Sequence, residues 1–117
     1  MYIFRLPAQA HEIDWTYEGL ADYIAGARDR DALSRKIGTT VTVERGSFDL
    51  IAVRLYDTVI AYVGPSGIHV PDEINLHITH ATREWLRLIT GMYVASENFK
   101  YNVAGTIIKD RRIVRHV

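Results

Sequence analysis

The chain has 117 residues, a length that fits one domain able to bury roughly two-thirds of the surface that its unfolded chain exposes. It contains no cysteine, which excludes disulfide frameworks, thiolate nucleophiles and cysteine-based metal sites. Fourteen lysine and arginine residues balance fourteen aspartate and glutamate residues, so the net charge does not indicate a nucleic-acid coat protein or a membrane-surface binder.

The first third of the chain predicts a strand followed by a helical region. Alternation in residues 2–6 favours an edge strand that ends at the following proline, because proline cannot donate a hydrogen bond to a strand ladder. Asp14 is a candidate N-cap for a helix that begins at the next residue. A second short helical turn is predicted where Leu33 and Ile37 stand four residues apart, with Gly38 as its C-terminal stop.

The middle third, residues 39–70, alternates apolar and polar residues. This pattern indicates an antiparallel meander with one buried face. Turn compositions at residues 45–47 and 64–67 separate its strands. The residues predicted to share the buried face are Val41, Val43, Ile51, Val53, Leu55, Val59, Ala61 and Val63, and further along Ile74, Leu76 and Ile78.

The last third predicts one strong helix and several strands. Thr79 is a candidate N-cap, apolar residues including Trp85 recur at helical spacing over residues 80–90, and Gly91 supplies the stop. Strands are predicted at residues 92–94, 99–103, 106–109 and 113–117. The whole pattern indicates a single α+β domain over residues 1–117: a mainly antiparallel β-meander with an N-terminal helical region, one helix near residues 80–90 and a C-terminal β-hairpin.

Three segments carry a resemblance to a known group of proteins, RKIGTTVTVERGSFDLIAVRLYDTVIAYVGPSGIHV, HITHATREWLRLI and FKYNV. Over residues 35–103 the chain resembles small proteins encoded by tailed phages of actinobacteria. The matching positions are Arg35, Ile37, Gly38, Thr42, Arg45, Ile51, Val53, Arg54, Leu55, Thr58, Gly67, Thr79 and Thr82. The resemblance implies a virus-encoded protein of unassigned activity and supplies no catalytic residue.

Histidines and carboxylates are the candidate groups for catalysis or metal binding. His77 and His80, with His69 and Glu84, could supply metal ligands, but a site needs a third well-placed ligand. His77 also begins a His-x-Thr element, and phosphoesterases of that type need two such elements, one for the base and one for the acid. We therefore predict no metal, no cofactor and no catalytic residue, and rank a small phosphate-ester or metal-dependent enzyme third among the functions.

Two surfaces are candidates for binding. Residues off the buried register of the meander would form a protein-binding face, since arginine and aromatic side chains dominate interface energetics. Basic residues interleaved with Phe99 and Tyr101 would form a surface for single-stranded nucleic acid, by stacking and phosphate contacts. The protein-binding set is Arg54, Tyr56, Tyr62 and His69, and the nucleic-acid set is Lys100, Lys109, Arg111, Arg112 and Arg115.

The function expected from the sequence is binding rather than catalysis. We expect a protein partner, either a host factor or a second copy of the chain, with single-stranded nucleic acid as the alternative. No apolar run approaches the ~20 residues of a membrane span and the start of the chain lacks a secretory signal, so we expect no membrane association and a location in the host cytoplasm.

Overall fold

The computed structural model describes residues 4–29 and 31–117. Over those residues the chain forms two α-helices, two short 3-10 helices and nine strands. The helices are α1 (Tyr17–Ala25) and α2 (His80–Thr90), and the 3-10 helices are Ala8–Glu12 and Asp72–Leu76. The strands are β1 (Ser34–Ile37), β2 (Val41–Arg45), β3 (Ile51–Leu55), β4 (Thr58–Gly64), β5 (Gly67–Val70), β6 (Ser96–Glu97), β7 (Lys100–Tyr101), β8 (Thr106–Lys109) and β9 (Arg112–His116).

Seven strands in the described part of the chain form one antiparallel sheet, in the order β1-β2-β3-β4-β5-β8-β9. Strands β1 to β5 are a meander, since each pairs with the next along the chain. The chain then runs through a 3-10 helix, α2 and a separate hairpin of β6 and β7 before β8 joins the sheet beside β5. This arrangement confirms the predicted α+β class, with β8 and β9 as the C-terminal hairpin.

The two helices cover one face of the sheet, which we call the inner face. Their apolar side chains share one core cluster with the alternate residues of the strands. The buried helix residues are Leu20 and Ile24 of α1 and Trp85, Leu86 and Ile89 of α2. Among the described residues, no helix is long and apolar enough to span a bilayer.

Helix α2 agrees with its sequence prediction. The Thr79 side chain accepts a hydrogen bond from the backbone N–H of Thr82 at 3.0 Å, which satisfies a donor of the first turn. At the other end Gly91 adopts φ +68, the left-handed conformation that ends helices. Trp85 is 0 % exposed, as its position on the apolar stripe predicts.

The predictions for the N-terminal region are only partly correct. Residues 2 and 3 of the predicted strand lie outside the described residues, and residues 4–6 are loop. The helix cap is Thr16 rather than Asp14, because the Thr16 hydroxyl accepts from the N–H of Gly19 at 3.0 Å. Asp14 instead accepts from the Thr16 hydroxyl at 2.9 Å, so it supports the cap from outside the helix.

The second helical turn predicted around Leu33 and Ile37 is wrong. This segment is strand β1, which pairs with β2 from Ser34 opposite Glu44 to Ile37 opposite Val41. Gly38 has φ +65 and lies in the turn between the two strands. Two apolar residues four apart support a single helical turn, whereas pairing with β2 satisfies the backbone of the whole segment.

Two predictions for the buried face of the meander are also wrong. The register between β3 and β4 shifts after Val53, so Ile60 is buried and Val59 pairs with Arg54 on the opposite face. Residues 72–76 form a 3-10 helix rather than a strand, which buries Ile74 and leaves Leu76 80 % exposed. Pro71 precedes this helix with φ −69, a value that suits a helix start.

The strands predicted beyond α2 are shorter than expected. Residues 92–94 are loop, and the segment predicted as a strand over 99–103 contributes only Lys100–Tyr101 to the small hairpin. Phe99 lies in the hairpin turn and is 85 % exposed, whereas Tyr101 and Val103 are buried. The strand Thr106–Lys109 is confirmed, as is the hairpin that it forms with the last strand, β9.

Candidate binding surface

One row of side chains crosses the whole sheet on the face opposite the helices. Each member pairs with the next across adjacent strands, and with strands about 4.8 Å apart the row is about 29 Å long. In order, the row is Ser34, Glu44, Ala52, Tyr62, His69, Ile107 and Arg115. Because successive side chains alternate between faces, this row points away from the core.

We call this side of the sheet the outer face. Besides the row it includes a second set of paired residues on β1 to β4 and one further pair at the β8–β9 hairpin. These residues are Lys36, Thr42, Arg54 and Val59, and Lys109 and Arg112. Among the described residues, no helix packs its buried side chains against the outer face, so it is open.

The centre of the outer face is aromatic. The rings of Tyr62 and His69 are stacked, with centroids 5.9 Å apart and planes 26° apart. Phe48, in the turn between β2 and β3, is 94 % exposed and lies beside them. A depression of about 190 Å³ is lined by Phe48, Tyr62, His69 and Ile107. A second depression, of about 230 Å³, lies on the other side of Tyr62 and has Ala52 among its lining residues.

The two sides of the outer face are basic. Five cations lie on its strands, namely Lys36 and Arg54 on one side and Lys109, Arg112 and Arg115 on the other. They are opposed on those strands by a single carboxylate, Glu44, which lies 3.6 Å from Arg54.

The terminal hairpin holds its cations close together. Lys109 and Arg112 are cross-strand partners, and like charges directly opposite one another destabilise a sheet. Neither residue, nor Arg115, makes an ion pair within the part of the chain that the structure describes. Their positive charge is therefore available to an external anion.

The structure combines parts of both predicted binding sets. Arg54, Tyr62 and His69 of the protein-binding set share the outer face with Lys109, Arg112 and Arg115 of the nucleic-acid set. The sequence alone assigns the two sets to different surfaces, because it does not reveal that β8 pairs with β5. The row from Tyr62 through His69 and Ile107 to Arg115 is what joins them.

Three predicted site residues lie elsewhere. Tyr56 is in the β3–β4 turn with φ +54, and it lines a separate cavity of about 540 Å³ together with Phe4 and His80. Lys100 is on the small hairpin. Arg111 is at the tip of the β8–β9 hairpin, where its side chain lies against Gly91 at the C-terminal end of α2. A cation there is favoured by the helix dipole.

The remaining histidines do not form a cluster with other metal-ligating groups. His80 is the first residue of α2, and its Nδ1 lies 3.2 Å from a guanidinium nitrogen of Arg83. His77 is exposed after the 3-10 helix, and His69 is on the outer face. Over the described residues, no group of three or more His, Cys, Asp or Glu side chains is arranged to hold a metal ion.

A buried tyrosine fixes the loop that precedes α2. The Tyr101 hydroxyl accepts from the backbone N–H of Thr79 at 3.0 Å, and carbonyl oxygens of His77 and Thr79 lie within hydrogen-bonding distance. Its backbone N–H donates to the side chain of Asn75 at 2.8 Å. Burial raises the pKa of the Tyr101 hydroxyl above 10.0, against smaller opposing effects of the Thr79 hydrogen bond and the Arg83 charge.

We expect Tyr101 to make the protein sensitive to alkali. Because the pKa of Tyr101 is raised in the folded protein, this hydroxyl ionises at a lower pH in the unfolded chain than in the folded one. The contribution of the neutral hydroxyl to the free energy of unfolding is therefore complete below pH 10.0 and is lost as the pH rises above that value. Urea denaturation over an alkaline pH series should therefore show a smaller decline in the free energy of unfolding for Tyr101→Phe than for the wild type. Parallel declines would show that the hydroxyl ionises equally in both states.

Comparisons with protein-family models, with curated proteins and with solved structures give no match to this chain. The fold and the outer face define a class of α+β protein with helices on one side of an open antiparallel sheet. What the protein does must therefore be inferred from the chemistry of that face.

Proposed function

We propose that this chain is a phage-encoded accessory protein that binds single-stranded nucleic acid on the outer face of its sheet. The observation that carries the proposal is the combination, on one open face, of a stacked aromatic centre with cations on both sides. Cations hold the phosphates of a nucleic acid, and aromatic rings stack on its unpaired bases. The location we propose is the cytoplasm of the infected host, in line with the resemblance to phage proteins.

The dimensions and the openness of the face support a strand that crosses the sheet. Along the row, the stacked rings of Tyr62 and His69 are followed by Ile107 and Arg115, so a base on the rings would have its phosphate near the terminal hairpin. Open sheets whose surface aromatics stack bases are a recurrent means of reading single strands. The likeness to such sheets is one of architecture alone.

A protein partner is the second candidate function, and one observation favours it. Phe48 is almost fully exposed beside Tyr62 and Arg54, and aromatic and arginine residues at the centre of a face are typical of protein-binding hot spots. The partner would be a host factor or a second copy of the chain. On this alternative the affinity depends on apolar burial, so added salt would weaken binding only slightly.

The test compares two double variants that remove the same charge from the same predicted set. Arg112→Gln with Arg115→Gln removes cations from the outer face, and Lys100→Gln with Arg111→Gln removes cations that lie elsewhere. Fluorescence anisotropy measures binding of each to a labelled oligothymidylate over a salt series. Each lost phosphate contact reduces the slope of log affinity against log salt by about 0.7 for single strands.

We expect the first variant to bind with a slope shallower by about 1.4. The second should keep the wild-type slope. Equal slopes for both double variants would contradict the proposal, as would the absence of wild-type binding at low salt. Concentration-dependent self-association, lost in Tyr62→Ala and insensitive to salt, would favour the second candidate instead.

A further inference from the structure

The turn between β2 and β3 carries a phenylalanine at a position where a large side chain is unusual. Phe48 and Asp49 are its two central residues, and both have left-handed backbones, with φ +60 and +55. The turn is closed by a hydrogen bond from the N–H of Leu50 to the carbonyl of Ser47 at 3.3 Å. Two consecutive positive φ values are the φ pattern of a type I′ turn, which favours Asn-Gly because bulky side chains are strained there.

Burial does not compensate for this strain. Phe48 is 94 % exposed, so its ring gains almost no hydrophobic stabilisation from the folded protein. Neither the turn preference nor core packing accounts for a phenylalanine at this position. Phe99 shares the strained backbone and the exposure, so it is the position of Phe48 on the outer face that connects this ring with binding.

Phe48 borders the aromatic centre of the outer face on two sides. It lines both depressions, and each depression is also lined by Tyr62. Between them, the two depressions also contact the cation Arg54 and the ring of His69. A flat ring that enters either depression would therefore lie between Phe48 and Tyr62, and in the second depression it would also lie near the guanidinium of Arg54.

We propose that Phe48 determines specificity for unpaired bases, by stacking on a base that enters the depression between its ring and the Tyr62–His69 pair. This inference rests on the proposed nucleic-acid function and names its recognition element. The closed turn fixes the backbone that carries the ring beside the depression before the strand arrives, so the loop itself loses little conformational entropy on binding. Bases paired within a duplex cannot enter, which makes the surface selective for single strands.

The chain contains a matched control for Phe48. Phe99 lies in the turn between β6 and β7, where Asn98 and Phe99 have φ +52 and +61 and the ring is 85 % exposed. That hairpin belongs to the helical side of the molecule, because Tyr101 joins it to Asn75 and to the loop before α2. The two phenylalanines therefore share a strained, exposed turn but not a position on the outer face.

The experiment compares Phe48→Asn with Phe99→Asn. Asparagine adopts left-handed backbones readily, so both variants should melt at or slightly above the wild-type temperature. Binding is measured to a labelled oligothymidylate of about 12 nucleotides, a length typical of one binding module. An abasic backbone of equal length and a duplex serve as further probes.

We expect Phe48→Asn to bind oligothymidylate about tenfold more weakly than the wild type, within the range for loss of one stacked base. Its affinity for the abasic backbone and the duplex should be unchanged, Phe99→Asn should bind like the wild type, and Phe48→Trp should retain binding. Unchanged affinity of Phe48→Asn for oligothymidylate would overturn the inference while leaving the wider proposal intact. So would a lower melting temperature with equal losses on all probes, which would show that the ring packs in the fold.

Failure of the wider proposal gives a different result. In that case the wild type binds none of the three probes, and the inference falls with it. If Phe48→Asn then also removes self-association of the wild type, the outer face binds a second copy of the chain and Phe48 contributes to a protein interface.

Discussion

Replacing Trp85 with alanine is expected to lower the free energy of unfolding by about 3–5 kcal/mol, the usual range for deleting a buried aromatic side chain. Trp85 is the largest fully buried side chain, and its ring meets that of Trp15 edge to face with centroids 6.2 Å apart. The variant would therefore lose contacts with both the sheet and the segment that precedes α1. Urea denaturation followed by circular dichroism measures the effect.

A control for this variant removes an aromatic ring that is not buried. Phe99→Ala deletes a ring that is 85 % exposed, and surface substitutions usually change stability by no more than about 0.5 kcal/mol. A free energy of unfolding of Trp85→Ala within about 0.5 kcal/mol of the wild type would show that α2 does not present this residue to the core. The orientation of α2 on the sheet would then be wrong.

Gly67→Ala is expected to destabilise the protein by about 2 kcal/mol or more, because two effects act together. Gly67 has φ +140, a backbone conformation that residues with a side chain rarely adopt. An added Cβ would lie 2.7 Å from the backbone oxygen of Ile108, so strand β8 would have to move away from β5. Thermal and urea denaturation both report the change.

Gly46→Ala is the matched substitution. Gly46 follows β2, has no positive φ, and an added Cβ would lie 3.4 Å from the carbonyl oxygen of Leu50. We expect a change within about 1 kcal/mol. Equal destabilisation of the two variants would mean that loss of glycine, rather than the approach of β8, causes the effect.

The elements that the sequence predicts well are those with several local signals in agreement. For α2, the cap at Thr79, the helical spacing around Trp85 and the stop at Gly91 all specify the same element. For β1, the one helical signal, Leu33 and Ile37, competes with pairing to β2, which involves residues later in the chain. Local spacing alone therefore favours the wrong element.

The outer face is only partly readable from the sequence. Alternation is enough to assign Arg54, Tyr62 and His69 to one side of the meander. It also suggests Tyr56, which is displaced because β3 ends one residue earlier, at Leu55. Arg112 and Arg115 belong to the outer face only because β8 lies beside β5 and β9 pairs with β8. No local sequence pattern encodes the order of strands that are distant in the chain.

Phe48 was missed for a different reason. It follows the turn signal at Gly46 and Ser47, where the alternation of apolar and polar residues stops. The alternation therefore does not assign Phe48 to either face of the sheet. The available signal was chemical, because a phenylalanine at the tip of a short hairpin is an unfavourable choice for a turn. The same signal marks Phe99, so only the structure, which places Phe48 beside Tyr62 on the outer face, separates the two residues.

The return of β8 to the side of β5 has a consequence for the order of folding. Strands β1 to β5 each pair with the next strand along the chain, so their pairing is local and fast. Pairing of β8 with β5 requires residues 71–105 to form a closed loop first, which is slower. The rings of Tyr62 and His69 would therefore be in position before the cations of β9 arrive. A nascent chain still short of its last strands would display the aromatic rings with Lys36 and Arg54 but without the cations of β8 and β9, so the outer face would be complete only after the last strands pair.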